Sequence, residues 1–146
     1  MTNIAEIQIT YSSKKNKTPL PKIEMASDSD KYFREIWSNK MEYIEEMYVM
    51  LLSRSNNVLG YSKISMGGTH STIVDPKVIF QLALKSHASA IVIAHNHPSG
   101  ALKPSEQDIR LTRRIKEAAS LLDIVLLDHL ILSKESYYSF ADEGLV

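Results

Sequence analysis

Two histidines separated by one residue, His95 and His97, are followed by Asp108 in the stretch AHNHPSGALKPSEQD. Imidazole nitrogens and a carboxylate oxygen are donors that bind divalent ions of the first transition row. Residues i and i+2 of a strand point to the same side, so two imidazoles at a strand end converge on one ion. Asp108 joins them when the loop between, rich in proline and glycine, folds back and delivers it from the first turn of a helix. Two nitrogens, one carboxylate oxygen and one open position describe a catalytic zinc site, with water as the fourth ligand. Structural zinc sites fill four positions and favour cysteine, and this chain has none. One Zn2+ per chain is the expectation. Zinc lowers the pKa of such a water from about 15.7 toward roughly 7.

A plainer reading competes. Ser105 and Asp108 form an S-x-x-D capping box with Pro104 just outside the helix. That explains both residues without a metal, and a histidine at a strand end is ordinary polar trimming. The spacing alone leaves both readings open. His70 reads as a loop residue, and His87 as one near a helix C-terminus, where imidazole suits the dipole. Gly100 supplies a left-handed backbone angle in the loop.

The elements that must position these groups follow from the apolar pattern. The run SAIVIAH at 89–95 has no polar residue from Ala90 to Ala94, as in a central strand covered on both faces. Residues 106–121 predict a helix with Ile109, Leu111, Ile115 and Ala118 or Ala119 inward. Residues 124–133, IVLLDHLILS, predict a returning strand, and YYSFADEGLV a short strand or turn on the core. Upstream, a helix begins near Ser27 with Tyr32, Phe33, Ile36 and Trp37 as its apolar stripe. Residues 46–53 and 58–66 predict two antiparallel strands joined at SRSNN and closed by Gly67 and Gly68. Asp75 and Pro76 open a helix to about His87 with Val78, Ile79, Leu82 and Ala83 on its buried face. Residues 4–11 predict a short strand, and 12–22 a loop or mobile arm. The alternation of strand and helix predicts an α/β domain of two or three layers.

The chain has 146 residues, 44% of them apolar, which suits one domain with a real core. Its 17 basic and 17 acidic residues balance, which argues against a dedicated nucleic-acid binder. Lys14, Lys15, Lys17 and Lys22 form a local exception, read either as a solvated segment or as a phosphate-backbone contact. The lack of cysteine excludes a disulfide framework and a thiolate metal site. No run of eighteen apolar residues exists, so the expectation is no membrane span. No secretory pattern opens the chain, and a cytoplasmic location is expected. Homo-oligomer formation stays open.

The segment from His95 to Asp108 resembles the JAMM metalloprotease motif: H-x-H, seven residues, Ser, two residues, Asp. The chain is similar to the RadC family of bacterial proteins in AHNHPSG with PS-x-x-D, in LTRRIKEAASLLDI, in LLDHLILS with YYSF after it, and in GGTHSTIVDPKVIFQLAL. The resemblance covers roughly Glu42 to Val146. It implies a JAB/MPN-type, cytidine-deaminase-like α/β fold with a mixed sheet flanked by helices. It divides the chain into an arm over 1–24 and a RadC-like domain over 25–146. Longer members carry an N-terminal helix-hairpin-helix region suited to DNA, and this chain reads as the stand-alone form.

The resemblance also implies hydrolysis of an amide or isopeptide bond, with a peptide or isopeptide substrate. It requires a glutamate on an earlier strand. Glu46 matches by its place before the hydrophobic run, with Glu45 as competitor, since neighbours in a strand face opposite ways. Glu46 is then the base acting on water, and Ser105 the hydroxyl facing the developing oxyanion. Asp128 and His129 recur in the family pattern, His129 beside the zinc and Asp128 as support behind it. Asn96 points away from the ion and ties the loop. Two rival functions remain: a DNA-repair or recombination accessory protein, and a non-catalytic protein-interaction domain.

Overall fold

The computed structural model describes residues 4–8, 19–67 and 74–146. Its elements, in chain order, are α1 (Ala26–Ile36), β1 (Glu46–Leu52), β2 (Val58–Met66), α2 (Pro76–Lys85), β3 (Ala90–Asn96), α3 (Glu106–Leu121), β4 (Val125–Leu132) and β5 (Tyr137–Ser139). The strands form one mixed sheet in the order β2-β1-β3-β4-β5. β3 and β4 run parallel with α3 as their crossover, and the other three pairings are antiparallel. A mixed α/β fold with flanking helices is therefore present, as the resemblance implies.

Strand parity sorts the core into two halves. Val49, Leu51, Ile91 and Ile93 pack with Ile79 and Phe80 of α2 and with Ile115 and Ala119 of α3. Tyr48, Met50, Leu52, Val92, Ala94, Leu130 and Leu132 pack with Phe33 of α1. The sheet thus lies between α1 on one face and the α2–α3 pair on the other. β1 and β3 are buried at every position, as expected of strands covered twice.

One irregularity decides what β4 presents to the site. Ile91 pairs with Leu126, but the next residue, Val92, pairs with Asp128. The extra residue, Leu127, is a bulge. Beyond it, His129 aligns with Ile93 and Ile131 with His95, so His129 faces the α2–α3 side. Without the bulge it would face α1.

Several expectations change. Residues 4–8 form no strand and are exposed, and 9–11 lie outside the described residues. So do Lys14, Lys15, Lys17, Gly68 and His70, whereas Lys22 is exposed and pairs with Glu24 at 3.1 Å. α2 stops at Lys85, and His87 beyond it adopts a φ of 57°. Val78 is exposed and Phe80 takes its place inside, because α2 meets the sheet one residue further round than its apolar stripe suggested. In α3 the buried positions are Thr112, Ile115 and Ala119, with Ile109 and Leu111 at the margin. Gly100 has the left-handed angle expected of it, φ 85°.

Arg34 ties α1 to the β4–β5 turn. Its guanidinium donates to the carbonyls of Ser133, Lys134 and Ser136 at 3.0, 3.1 and 3.0 Å and pairs with Asp30. Charge-assisted bonds contribute about 1.5–3 kcal/mol each when protected, and Arg34 is partly exposed, so Arg34→Ala is expected to cost about 1.5 kcal/mol in total. Urea unfolding measures it, and an unmoved midpoint would contradict the tie.

Candidate metal centre

β3 carries His95 in its last turn of ladder and His97 just past its end. The antiparallel register pairs Met47 with His95. By parity, Glu45, Met47, His95 and His97 therefore lie on the α2–α3 face, and Glu46 and Asn96 lie on the α1 face. α3 supplies the last group. Ser105 is its N-cap, accepting from the Asp108 amide at 3.0 Å, while the Asp108 carboxylate accepts from the Ser105 amide at 2.9 Å. The capping box is therefore real, and it holds Asp108 with both oxygens toward the imidazoles. Asp108 Oδ1 lies 3.3 Å from His95 Nε2, and Oδ2 lies 3.3 Å from His97 Nε2. The cap and the polar cluster are one device, so the two readings of Ser105 and Asp108 do not exclude each other.

Glu45, His95 and His97 each present one donor atom within 4.8 Å of the others. Glu45 Oε1 is 4.0 Å from His95 Nε2. This group is capable of coordinating a metal ion, and Asp108 adjoins it. His95 is buried, while His97, Glu45 and Asp108 keep a partly open side.

The hydrogen bonds decide which imidazole nitrogen carries the proton. The Thr112 hydroxyl has one hydrogen and donates it to the Asp108 carbonyl at 2.7 Å. Toward His129 Nδ1, at 2.6 Å, its oxygen must therefore accept. Neutral His129 then has a bare Nε2, which accepts from His95 Nδ1 at 2.7 Å. His95 is left with a lone pair on Nε2. His97 reaches the same state by a shorter route, because its Nδ1 donates to the Ala101 carbonyl at 2.6 Å. The two Nε2 atoms, 2.9 Å apart, would thus aim lone pairs at each other. Only a proton or a shared cation makes that contact favourable. A divalent metal ion meets this demand, with two nitrogens and a flanking carboxylate oxygen.

Burial and neighbouring charges shift the titration of the cluster. Burial opposes the charge on Asp108, but the two imidazoles beside it prevail and hold its carboxyl well below the usual range. Burial raises the Glu45 carboxyl, against the pull of the two histidines. His97 is raised despite burial, by the Asp108 carboxylate beside it and the Ala101 carbonyl. Full burial drives His129 well below its ordinary value, which keeps it neutral and able to accept. Its ring also stacks on Phe140, with centroids 4.6 Å apart. Thr112→Val cuts the relay at its source. It is expected to weaken metal binding by about 10–100-fold, the range for outer partners of metal ligands. Competition with a chromophoric chelator reads the change, and unaltered affinity would contradict the relay.

The expected placement of Glu46 is corrected. Its buried carboxylate turns away from the histidines to Ser38 and Lys63. Glu45 stands beside the histidines instead, because the β1–β3 register assigns it their parity. Asp128 also lies on the far face. It accepts from the amides of His129 and Ala141 at 2.7 and 2.9 Å and from the Ser139 hydroxyl at 2.7 Å, which fastens β5 to β4. Asn96 points away from the imidazoles, as expected. Thr112 and the Ala101 carbonyl were not anticipated. Thr112 had one signal: it lies four residues after Asp108, on the same face of α3.

A family model described as RadC-like JAB domain matches residues 23–145. A "UPF0758 protein" of Flavobacterium johnsoniae is 46% identical over 101 residues, covering 69% of this chain and 44% of that protein. One from Porphyromonas gingivalis is 44% identical over 129 residues, covering 87% of this chain and 57% of that protein. Another, from Syntrophomonas wolfei, is 36% identical over 126 residues, covering 85% and 54%. The chain spans about half the length of the curated relatives it matches.

Proposed function

The chain belongs to the RadC-like JAB domain family, and from that premise we propose that it is a zinc-dependent hydrolase of amide or isopeptide bonds. The observation that carries the reading is the closeness of His95 Nε2, His97 Nε2 and the Asp108 and Glu45 carboxylates to one another. His95, His97 and Asp108 would hold the ion. When bound, zinc supplies Lewis acidity, which polarises a carbonyl and makes water a stronger nucleophile at neutral pH.

The chain's own groups do the rest. Glu45 sits beside the imidazole pair without a hydrogen bond that commits its carboxylate to them. It takes a proton from the attacking water and hands it to the departing amine. Burial raises its carboxyl, which suits a group that must both accept and return a proton. The Ser105 oxygen accepts from the Asp108 amide, so its hydroxyl hydrogen stays available to the developing oxyanion. The N-terminus of α3 adds its positive end. Thr112, His129 and the Ala101 carbonyl keep the imidazoles in the tautomers that leave Nε2 bare.

A panel of peptide and isopeptide substrates tests the proposal. Cleavage by the zinc-loaded protein, lost with a chelator and restored by zinc, is expected. No cleavage across the panel by protein of verified zinc content would count against it.

No helix among the described residues is long and apolar enough to cross a membrane.

A further inference from the structure

We propose that Asn96 is a positioning residue that selects Glu45, and not its neighbour Glu46, as the carboxylate facing the imidazole pair. The inference rests on the reading of Glu45 as the proton carrier.

Two consecutive glutamates stand where β1 begins, and a slip of one residue would exchange their faces. Something must fix the choice. Asn96 lies between His95 and His97, so its side chain leaves β3 on the opposite face from theirs. Its amide is fully buried and spends its capacity on the segment entering β1. Oδ1 accepts from the Glu46 amide at 2.7 Å, and Nδ2 donates to the carbonyls of Ile44 at 2.8 Å and Met41 at 2.7 Å. The Ile44 carbonyl and the Glu46 amide stand on either side of Glu45. One side chain thus clamps the backbone before and after the residue that faces the histidines. The Gly67 amide, just past the end of β2, donates to the Glu45 carbonyl at 2.9 Å and holds the same residue.

The rejected glutamate is accommodated on the other face. The Glu46 carboxylate pairs with Lys63 of β2 and accepts from the Ser38 hydroxyl. A buried carboxylate needs such partners, and the imidazole face would offer Glu46 neither of them. The H-x-H spacing therefore carries a second instruction. The outer residues gather the cluster, and the middle one aligns the acid that serves it.

The test compares crystal structures of the wild-type protein, Asn96→Ser and Asn96→Asp. The Ser variant leaves one small polar group, and the Asp variant keeps an acceptor for the Glu46 amide but loses both donors. The expected result is Glu45 withdrawn from the imidazoles, with the His95–His129 and His97–Ala101 contacts intact. Glu45 Oε1 still 4.0 Å from His95 Nε2 in a variant would overturn the proposal. If neither variant folds, amide exchange on the wild-type protein decides. The Glu46 amide is expected to exchange at least about 100-fold slower than in an unfolded chain, and rapid exchange would overturn the clamp.

In a hydrolysis assay the variants are expected to keep their zinc and KM and to lose about 100-fold in kcat, the order for misplacement by about 1 Å. A rise in KM alone would contradict a role through Glu45. Wild-type protein without turnover would count against the hydrolase reading only, because the crystallographic comparison still decides what Asn96 does.

Discussion

Replacing Glu45 with Gln is expected to lower amide hydrolysis by about 10²–10⁴-fold, the contribution usual for a positioned general acid–base, with zinc content unchanged. The substitution preserves shape and removes only the ability to hold the proton in transit. Glu45 suits that task by position, 4.0 Å from His95 Nε2 and partly open to solvent. Glu46, one residue on, is buried against Ser38 and Lys63 and cannot reach water at the imidazoles without a slip of β1. Steady-state kinetics of Glu45→Gln and Glu46→Gln, each with metal analysis, separates the two. A larger kcat loss in the Glu46 variant would reverse the assignment.

His95→Ala is expected to abolish stoichiometric zinc binding. The loss should exceed the roughly 10–100-fold that follows from disturbing an outer partner such as Thr112. His95 contributes more than one donor atom. It is the buried imidazole of the pair, it connects β3 to β4 through His129, and it stands 3.3 Å from Asp108. Its removal leaves the His129 Nε2 without a donor in a buried place, and leaves His97 and Asp108 to hold an ion from one side. Metal analysis after dialysis against zinc, with circular dichroism as a check of folding, reads the effect. A folded variant that retains one zinc per chain would move the site elsewhere.

Much of this arrangement was legible in the sequence because it rests on local pattern. The unbroken apolar run from Ala90 to Ala94 identified the central strand, and H-x-H at its end placed two imidazoles on one face. Ser105 and Asp108 announced the first turn of α3 by their capping chemistry. What stayed hidden depends on how elements meet. Choosing Glu45 over Glu46 requires the pairing of Met47 with His95, which no local pattern encodes. His129 reaches His95 only because Leu127 bulges out of register; read from a regular strand, it would have faced α1. The part Thr112 plays depends on its hydroxyl meeting both the Asp108 carbonyl and His129, a contact between α3 and β4. The short strand expected near the N-terminus failed at residues 4–8 because an alternating pattern does not make a strand without a neighbour to pair with.

A crystal structure with anomalous data on both sides of the zinc absorption edge tests the metal centre itself. The expected map has one zinc peak per chain, within about 2.0–2.2 Å of His95 Nε2, His97 Nε2 and an Asp108 oxygen, with the Glu45 carboxylate beside its open side. A zinc-supplemented crystal with no peak between those three residues, or with its zinc bound by other residues, would contradict the site proposed for this chain.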